Sequence, residues 1–168
     1  MNLSNQLPSL HPHFLELLFA YKSQVAAVFN DILGLYEISH FAISHIDNQN
    51  RLLTFSSTPS LEFNLFNSEL WRFDQTYQPI WYSLCSSSPW QSLYNFKRYD
   101  ELYYLKQIKH HYPVGLSMAV KTSDSYIIYS IATDKKNPHT QEFFINQQEH
   151  FYRIGEYCNK GLKPLILM

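Results

Sequence analysis

Twenty residues in the second half of the chain constrain the fold more than any others. From Val114 to Val120 the apolar residues Val114, Leu116, Met118 and Val120 alternate with Gly115, Ser117 and Ala119. A period of two is the pattern of a strand with one face against a core. Thr122-Ser123-Asp124 interrupts the pattern and Tyr126 to Thr133 resumes it, so the pair reads as an antiparallel hairpin. An earlier stretch repeats the arrangement. In Ile38 to Ile46, Phe41 and Ile43 alternate with His40, Ala42 and Ser44. Asp47-Asn48-Gln49-Asn50 supplies a turn, and Arg51 to Ser57 returns with Leu53 and Phe55 on one face.

Helical spacing surrounds the two hairpins. Residues 11 to 33 carry Phe14, Leu17, Leu18, Tyr21, Val25, Val28, Phe29 and Ile32 three and four apart, with Pro12 in the first turn and Gly34 just past the end. Residues 58 to 98 are irregular, with prolines at 59, 79 and 89 and short helices expected at Ser68 to Phe73 and Gln91 to Phe96. A clearer helix runs from Tyr99 to His111 and stops before Pro113. Asn137-Pro138 is a helix start, since Asn caps and Pro fits the first turn. The helix it opens carries Phe144, Phe151, Ile154 and Cys158 down one stripe and ends near Gly161.

The order is therefore helix, hairpin, helical insertion, hairpin, long helix. This is an α+β arrangement: an antiparallel sheet flanked by N- and C-terminal helices, with an aromatic-rich helical insertion. At 168 residues the chain is one domain, which we place at residues 11–161, between an N-terminal arm (1–10) and a C-terminal tail (162–168).

Composition removes several function classes. Four glycines leave no phosphate-binding loop, and neither G-x-G-x-x-G nor a Walker motif occurs. Thirteen basic residues balance fourteen acidic ones, which argues against direct nucleic-acid binding. The densest basic stretch, Lys97, Arg98, Lys106 and Lys109 with His110 and His111, shares its helix with Asp100 and Glu101 and reads as a solvated face. Cys85 and Cys158 form no C-x-x-C; they are either two unpaired core thiols or a lone disulfide. His40 and His45, five apart in a strand, point to opposite faces and cannot share a metal ion. No G-x-S-x-G is present. The reading is a non-enzymatic chain with no metal site and no cofactor. Lacking a signal peptide pattern or a transmembrane run, it is expected to be soluble and cytoplasmic.

The order of elements resembles the sensor half of LuxR-type transcription regulators, whose autoinducer-binding domain is a PAS/GAF-like sheet between helices. Local sequence carries the resemblance over residues 10 to 160. Leu35-Tyr36-Glu37-Ile38-Ser39-His40-Phe41-Ala42-Ile43 resembles the family's entry to its first strand. Phe55-Ser56-Ser57-Thr58-Pro59 resembles the exit from the second, and Tyr112-Pro113-Val114-Gly115-Leu116-Ser117-Met118-Ala119 the strand after the insertion. The resemblance implies a bacterial small-molecule sensor in quorum sensing or transcription regulation. The sequence departs from the family where acyl-lactone receptors carry Trp-x-x-x-Tyr and Asp-Pro. Four residues after Trp71 stands Gln75, the nearest tyrosine is Tyr77, and Gln78-Pro79 occupies the place of an Asp-Pro, so no ligand carboxylate is identified. The chain ends at Leu162 to Met168, where a linker to a helix-turn-helix half would begin, as expected of a free-standing sensor or of one lacking that half.

All three tryptophans and seven of the thirteen tyrosines fall between residues 71 and 112, the insertion that holds the ligand in the resembling family. Side chains with a large apolar body and a polar tip suit a mostly apolar pocket. The candidate ligand-binding residues are Trp71, Tyr77, Trp81, Tyr82, Trp90, Tyr94 and Tyr103, with Gly115 and Ser117 on the strand below. The expected ligand is small and largely apolar. The same aromatics also serve to pack a lid, and the small face at Gly115 also serves to let a helix approach. As a third reading they form a partner surface, since Trp and Tyr are enriched in binding hot spots. An interaction adaptor or bacterial effector that kept the fold without the pocket would expose Trp71, Trp81 or Trp90. A homodimer through the helices Phe14 to Ile32 and Gln141 to Lys160, or a regulatory protein partner, would transmit the signal.

Overall fold

The computed structural model describes residues 6–166. Both hairpins form where the alternation places them. They are β2 (His40–Ile46) with β3 (Arg51–Ser56), and β5 (Val114–Lys121) with β6 (Tyr126–Thr133). Each turn is closed by local hydrogen bonds. Asp47 Oδ1 accepts from the backbone N–H groups of Gln49 and Arg51, and the Thr122 N–H donates to the Ser125 carbonyl. Pairing of β2 with β6, Ile43 opposite Tyr129, joins the hairpins into one sheet. Two residues of the expected arm, β1 (Ser9–Leu10), add a parallel strand on β3, and β4 (Ser87–Pro89) adds an antiparallel one on β5. The order is β1-β3-β2-β6-β5-β4. With that order, the sheet is mostly antiparallel and the α+β class holds.

The two faces of the sheet have different chemistry, as the alternation requires. One carries Phe41, Ile43, Leu53, Phe55, Leu116, Met118, Ile127, Tyr129 and Ile131 into a core shared with the outer helices. The other presents small and polar side chains: Ala42, Ser44, Thr54, Ser56, Gly115, Ser117, Ala119, Ser130 and Ala132. All of these are buried.

Helices are more broken than the spacing suggests. Residues 11–33 form α1 (Phe14–Ala20) and α2 (Lys22–Asn30), kinked at Tyr21. The break has a packing reason: Phe14 and Leu18 enter the core on the insertion side, whereas Val25, Phe29 and Ile32 enter the one on the opposite face. A straight helix cannot serve both. Gly34, at φ 97°, ends the segment in the left-handed conformation that glycine tolerates. The C-terminal helix also divides, into α6 (Pro138–Ile145) and α7 (Gln148–Ile166). Asn137 Oδ1 caps α6 by accepting from the His139 N–H at 2.8 Å. Helix α7 runs past Gly161, so residues 162–166 of the expected tail are helical, and Leu167 and Met168 lie outside the described residues.

The insertion supplies α3 (Pro59–Phe66), α4 (Pro79–Tyr82), α5 (Tyr99–Tyr103) and several single 3-10 turns. One of the turns spans Glu69–Phe73 and one Trp90–Leu93, close to the two short helices expected there. Helix α5 continues into a π-helical stretch, Tyr104–Lys109. The insertion covers the small-residue face.

Candidate functional site

The small face matters because of what it lets approach. A Cβ built on Gly115 would lie 2.1 Å from Cδ2 of Trp90, so the indole rests directly on the strand backbone. Trp90 is fully buried, and Trp71, Trp81, Tyr77, Tyr82 and Tyr94 are buried around it in one cluster. Phe66 brings Trp71 and Tyr77 together, with ring centroids at 5.6 and 4.9 Å. Ser117 also faces the insertion, where its hydroxyl pairs with that of Thr76 at 2.9 Å. Eight of the nine residues expected from sequence thus converge. Tyr103 does not: it lies at the surface, 38% exposed, stacked on Tyr99.

The interior is more polar than the aromatic content suggests. Asp74 is fully buried; its Oδ1 accepts from the Thr76 N–H at 3.0 Å and its Oδ2 from Lys106 Nζ at 2.9 Å. The expected solvated place for Lys106 is therefore wrong, because its side chain is turned inward. The physical cause is the π-helical stretch. Leu105, Lys106 and Gln107 are all buried, an arc of about 200° on an ordinary helix, and a widened turn brings all three inward. Lys106 Nζ sits 4.1 Å from the ring centroid of Trp90 and 5.5 Å from that of Tyr94, so the rings share in stabilising the cation. Tyr94 Oη in turn donates to Gln107 Oε1 at 2.8 Å.

A second buried group lies beside the first. Burial, followed by the positive charges of Lys106 and His110, holds the His40 imidazole down at about 3. Burial pushes the Glu62 carboxyl up to about 8, against the opposing effects of a Ser56 hydrogen bond and the Lys106 charge. At neutral pH both are uncharged. His40 Nδ1 meets Thr58 Oγ1 at 3.0 Å, and Thr58 Oγ1 meets the Tyr112 hydroxyl at 2.7 Å. On the other side of the ring, His40 Nε2 stands 3.8 Å from Glu62 Oε1, too far for a hydrogen bond. Among the described residues neither atom has a protein partner, and Trp90 Nε1 has none either. The rings of His40 and Trp90 meet edge to face at 6.1 Å.

Grooves open at the rim of the insertion. One of about 490 Å³ runs along Leu7 to Leu10 and Phe66 to Arg72, touching Trp71. Another, of about 300 Å³, lies against Ile46, Tyr82 and Tyr126. Trp90, Lys106 and Thr76, which line neither groove, occupy the space over Gly115 and Ser117.

Sequence reasoning missed three of these groups. Asp74 is followed by Gln rather than Pro and so does not form an Asp-Pro, yet it is the one acidic residue between Trp71 and Tyr99. Glu62 shares a helical face with Leu65 and Phe66, three and four residues on, which marks it as inward-facing. His40 carries the signal of an inward strand position, since it alternates with Phe41 on the same face as Ala42 and Ser44. Of the cysteines, Cys158 is a core thiol and Cys85 is exposed, and both are free, so neither the disulfide nor a second core thiol is present.

Among the described residues no helix is long and apolar enough to cross a membrane. No protein-family model and no curated protein sequence matches the chain. Solved structures do. Escherichia coli SdiA superposes with a TM-score of 0.54 at 11% identity, over 84% of this chain and 61% of that one. The VqsR ligand-binding domain of Pseudomonas aeruginosa superposes with a TM-score of 0.51 at 10% identity, over 87% of this chain and 91% of that one. The chain thus spans 61% of the length of SdiA. At 10 and 11% identity the likeness is one of fold, and it is the LuxR-type, autoinducer-binding-like fold of these two structures that this chain adopts.

Proposed function

We propose that the chain is a non-enzymatic sensing domain of LuxR type that binds a small molecule between the small-residue face of its sheet and the aromatic insertion. Binding reorders the insertion and shifts a dimer or partner equilibrium, as regulation of transcription in a bacterial cytoplasm requires. A ligand does this only through different affinity for the two states. One observation carries the reading. His40 Nε2, Glu62 Oε1 and Trp90 Nε1, on three neighbouring side chains, are buried without protein partners among the described residues. Burying unpaired polar atoms is costly, and sites that do so are places where water or a ligand group completes the set. The ligand is accordingly small and mostly apolar, with a polar head. Trp71, Tyr77, Trp81, Tyr82, Trp90 and Tyr94 line its body, and Gly115 and Ser117 form the floor.

A second reading draws on a different observation. Trp90 on Gly115, the Thr76–Ser117 pair and Lys106 on Asp74 already occupy the centre, as an adaptor that kept the fold and closed the pocket would have it. Native mass spectrometry of the purified chain separates the two. A copurified small molecule, released on denaturation, supports the sensor. A ligand-free mass, together with a Glu62→Leu variant more stable than the parent, overturns the sensor in favour of the adaptor, since a closed core gains from losing an unpaired acid.

A further inference from the structure

The buried lysine sets the chemistry of any ligand that enters this interior. We propose that Asp74, Trp90 and Tyr94 form a recognition site for a primary ammonium group, which Lys106 fills from within and which a small organic ammonium ligand takes when Lys106 withdraws. This rests on the small-molecule reading above and names its ligand class.

Three features support the assignment. First, a carboxylate oxygen at 2.9 Å with aromatic rings at 4.1 and 5.5 Å around one cationic nitrogen is how proteins hold ligand ammonium groups. Second, the cage is anchored to parts of the chain other than the helix that carries Lys106. Asp74 and Tyr94 are joined by a β-bridge, Asp74 is fixed by the Thr76 N–H, and Trp90 is pressed on the Gly115 backbone. Lys106 itself is delivered by the π-helical stretch Tyr104–Lys109, the least regular part of that helix. Such stretches recur at functional sites, and return to α-helical winding would turn Lys106 away from the sheet.

Third, charge conservation selects the ligand. Withdrawing Lys106 takes away the cationic group hydrogen-bonded to the buried Asp74 carboxyl, and breaking a buried pair by removing one partner is strongly unfavourable. A neutral molecule entering in its place cannot correct this. An ammonium group does, because it restores the same pair.

The test uses the full chain and named probes. Lys106→Ala deletes three methylenes and the ammonium, which n-propylammonium replaces. Its melting temperature is expected to rise saturably with n-propylammonium and to stay unchanged with propan-1-ol. An equal response to both, or to neither, overturns the ammonium site. The wild-type chain is titrated in parallel with tyramine and with 4-ethylphenol, which lacks only the amine, following tryptophan fluorescence. Tyramine is expected to bind at least tenfold more tightly. Rescue of the variant without tyramine binding to the wild type makes the pair a structural one and overturns displacement. If 4-ethylphenol binds as well as tyramine, or if no probe binds either protein, ammonium recognition fails, while the small-molecule reading stands or falls on the native mass measurement. Should Lys106→Ala not fold, the wild-type pair of titrations still decides.

Discussion

Trp90 lies against the α-carbon of Gly115 so closely that no other residue type fits there: an added methyl would stand 2.1 to 2.4 Å from three atoms of the indole. The contact links the strand's alternation to the insertion's aromatic content, since only the small face of β5 admits a ring at that depth. Gly115→Ala must push Trp90 off the strand, and because Trp90 is fully buried the displacement spreads to Lys106 above it. Overpacking of this kind costs about 1–3 kcal/mol. We expect a lower urea midpoint for Gly115→Ala in the parent, and a smaller drop when the same change is made in a Trp90→Leu background, where the clash is gone. Equal stability of Gly115→Ala and the parent would show that the indole is not seated on the strand.

His40 and Glu62 bend the pH profile of stability in opposite directions. Glu62 titrates near 8 in the fold against 4.5 when unfolded, so between those values the folded state holds a proton the unfolded chain has lost, and stability falls as pH rises. His40 titrates near 3 against 6.5, so the unfolded chain holds the extra proton and stability rises with pH across 3 to 6.5. From pH 4.5 to 6.5 these two slopes oppose each other, and the His45, His110 and His11 imidazoles, all held down by burial, add a rise with pH below 6.5. The expected curve climbs toward pH 6.5, with a fall of about 1.4 kcal/mol per pH unit from 6.5 to 8 that belongs to Glu62. Glu62→Gln should flatten that alkaline limb and leave the acid one. Denaturant titrations at half-unit pH steps measure both, and an unchanged alkaline limb in Glu62→Gln would sink the assignment.

The tryptophans separate a closed interior from a partner surface. Trp71, Trp81 and Trp90 are all buried, at 4, 6 and 0% exposure. An emission maximum well to the blue of free indole, and weak acrylamide quenching in the isolated chain, are expected. Strong quenching would mean that the insertion stands open and that these rings are free for a partner.

Much of the fold was legible because strands announce themselves locally. The alternation in Val114 to Val120 defines both faces of β5 without reference to any neighbour, and the small face is the one on which Trp90 and Thr76 of the insertion rest. The helices were harder. Nothing in the spacing of Phe14 to Ile32 says that its two halves serve opposite faces of the sheet; that depends on where β3 lies. Lys106 was unreadable for a related reason. A lysine between Lys97 and Lys109 reads as solvated, and only a carboxylate 32 positions away, with a π-helical turn to reach it, makes burial tolerable. The aromatic run marks the buried cluster of the insertion, but the charges buried within it are tertiary facts.

The two thiols report on the other face of the sheet. Burial first, then the charge of Asp31, pushes the Cys158 thiol up to about 12, and its side chain is sealed between α7 and the core with Phe29 and Phe151. Only about one in ten thousand such thiols is ionised at pH 8, and the thiolate is the reactive form. Cys85 is exposed. Iodoacetamide at pH 8 should therefore add one label, at Cys85, with the second appearing only in denaturant at the rate of global unfolding. Gly155, one turn earlier in α7, sits where a Cβ would lie 2.6 Å from the Tyr129 ring, so helix and sheet are in close register there. Labelling of Cys158 in the folded chain would mean that α7 lifts from the sheet, and Gly155→Ala, which forces that separation, should accelerate it.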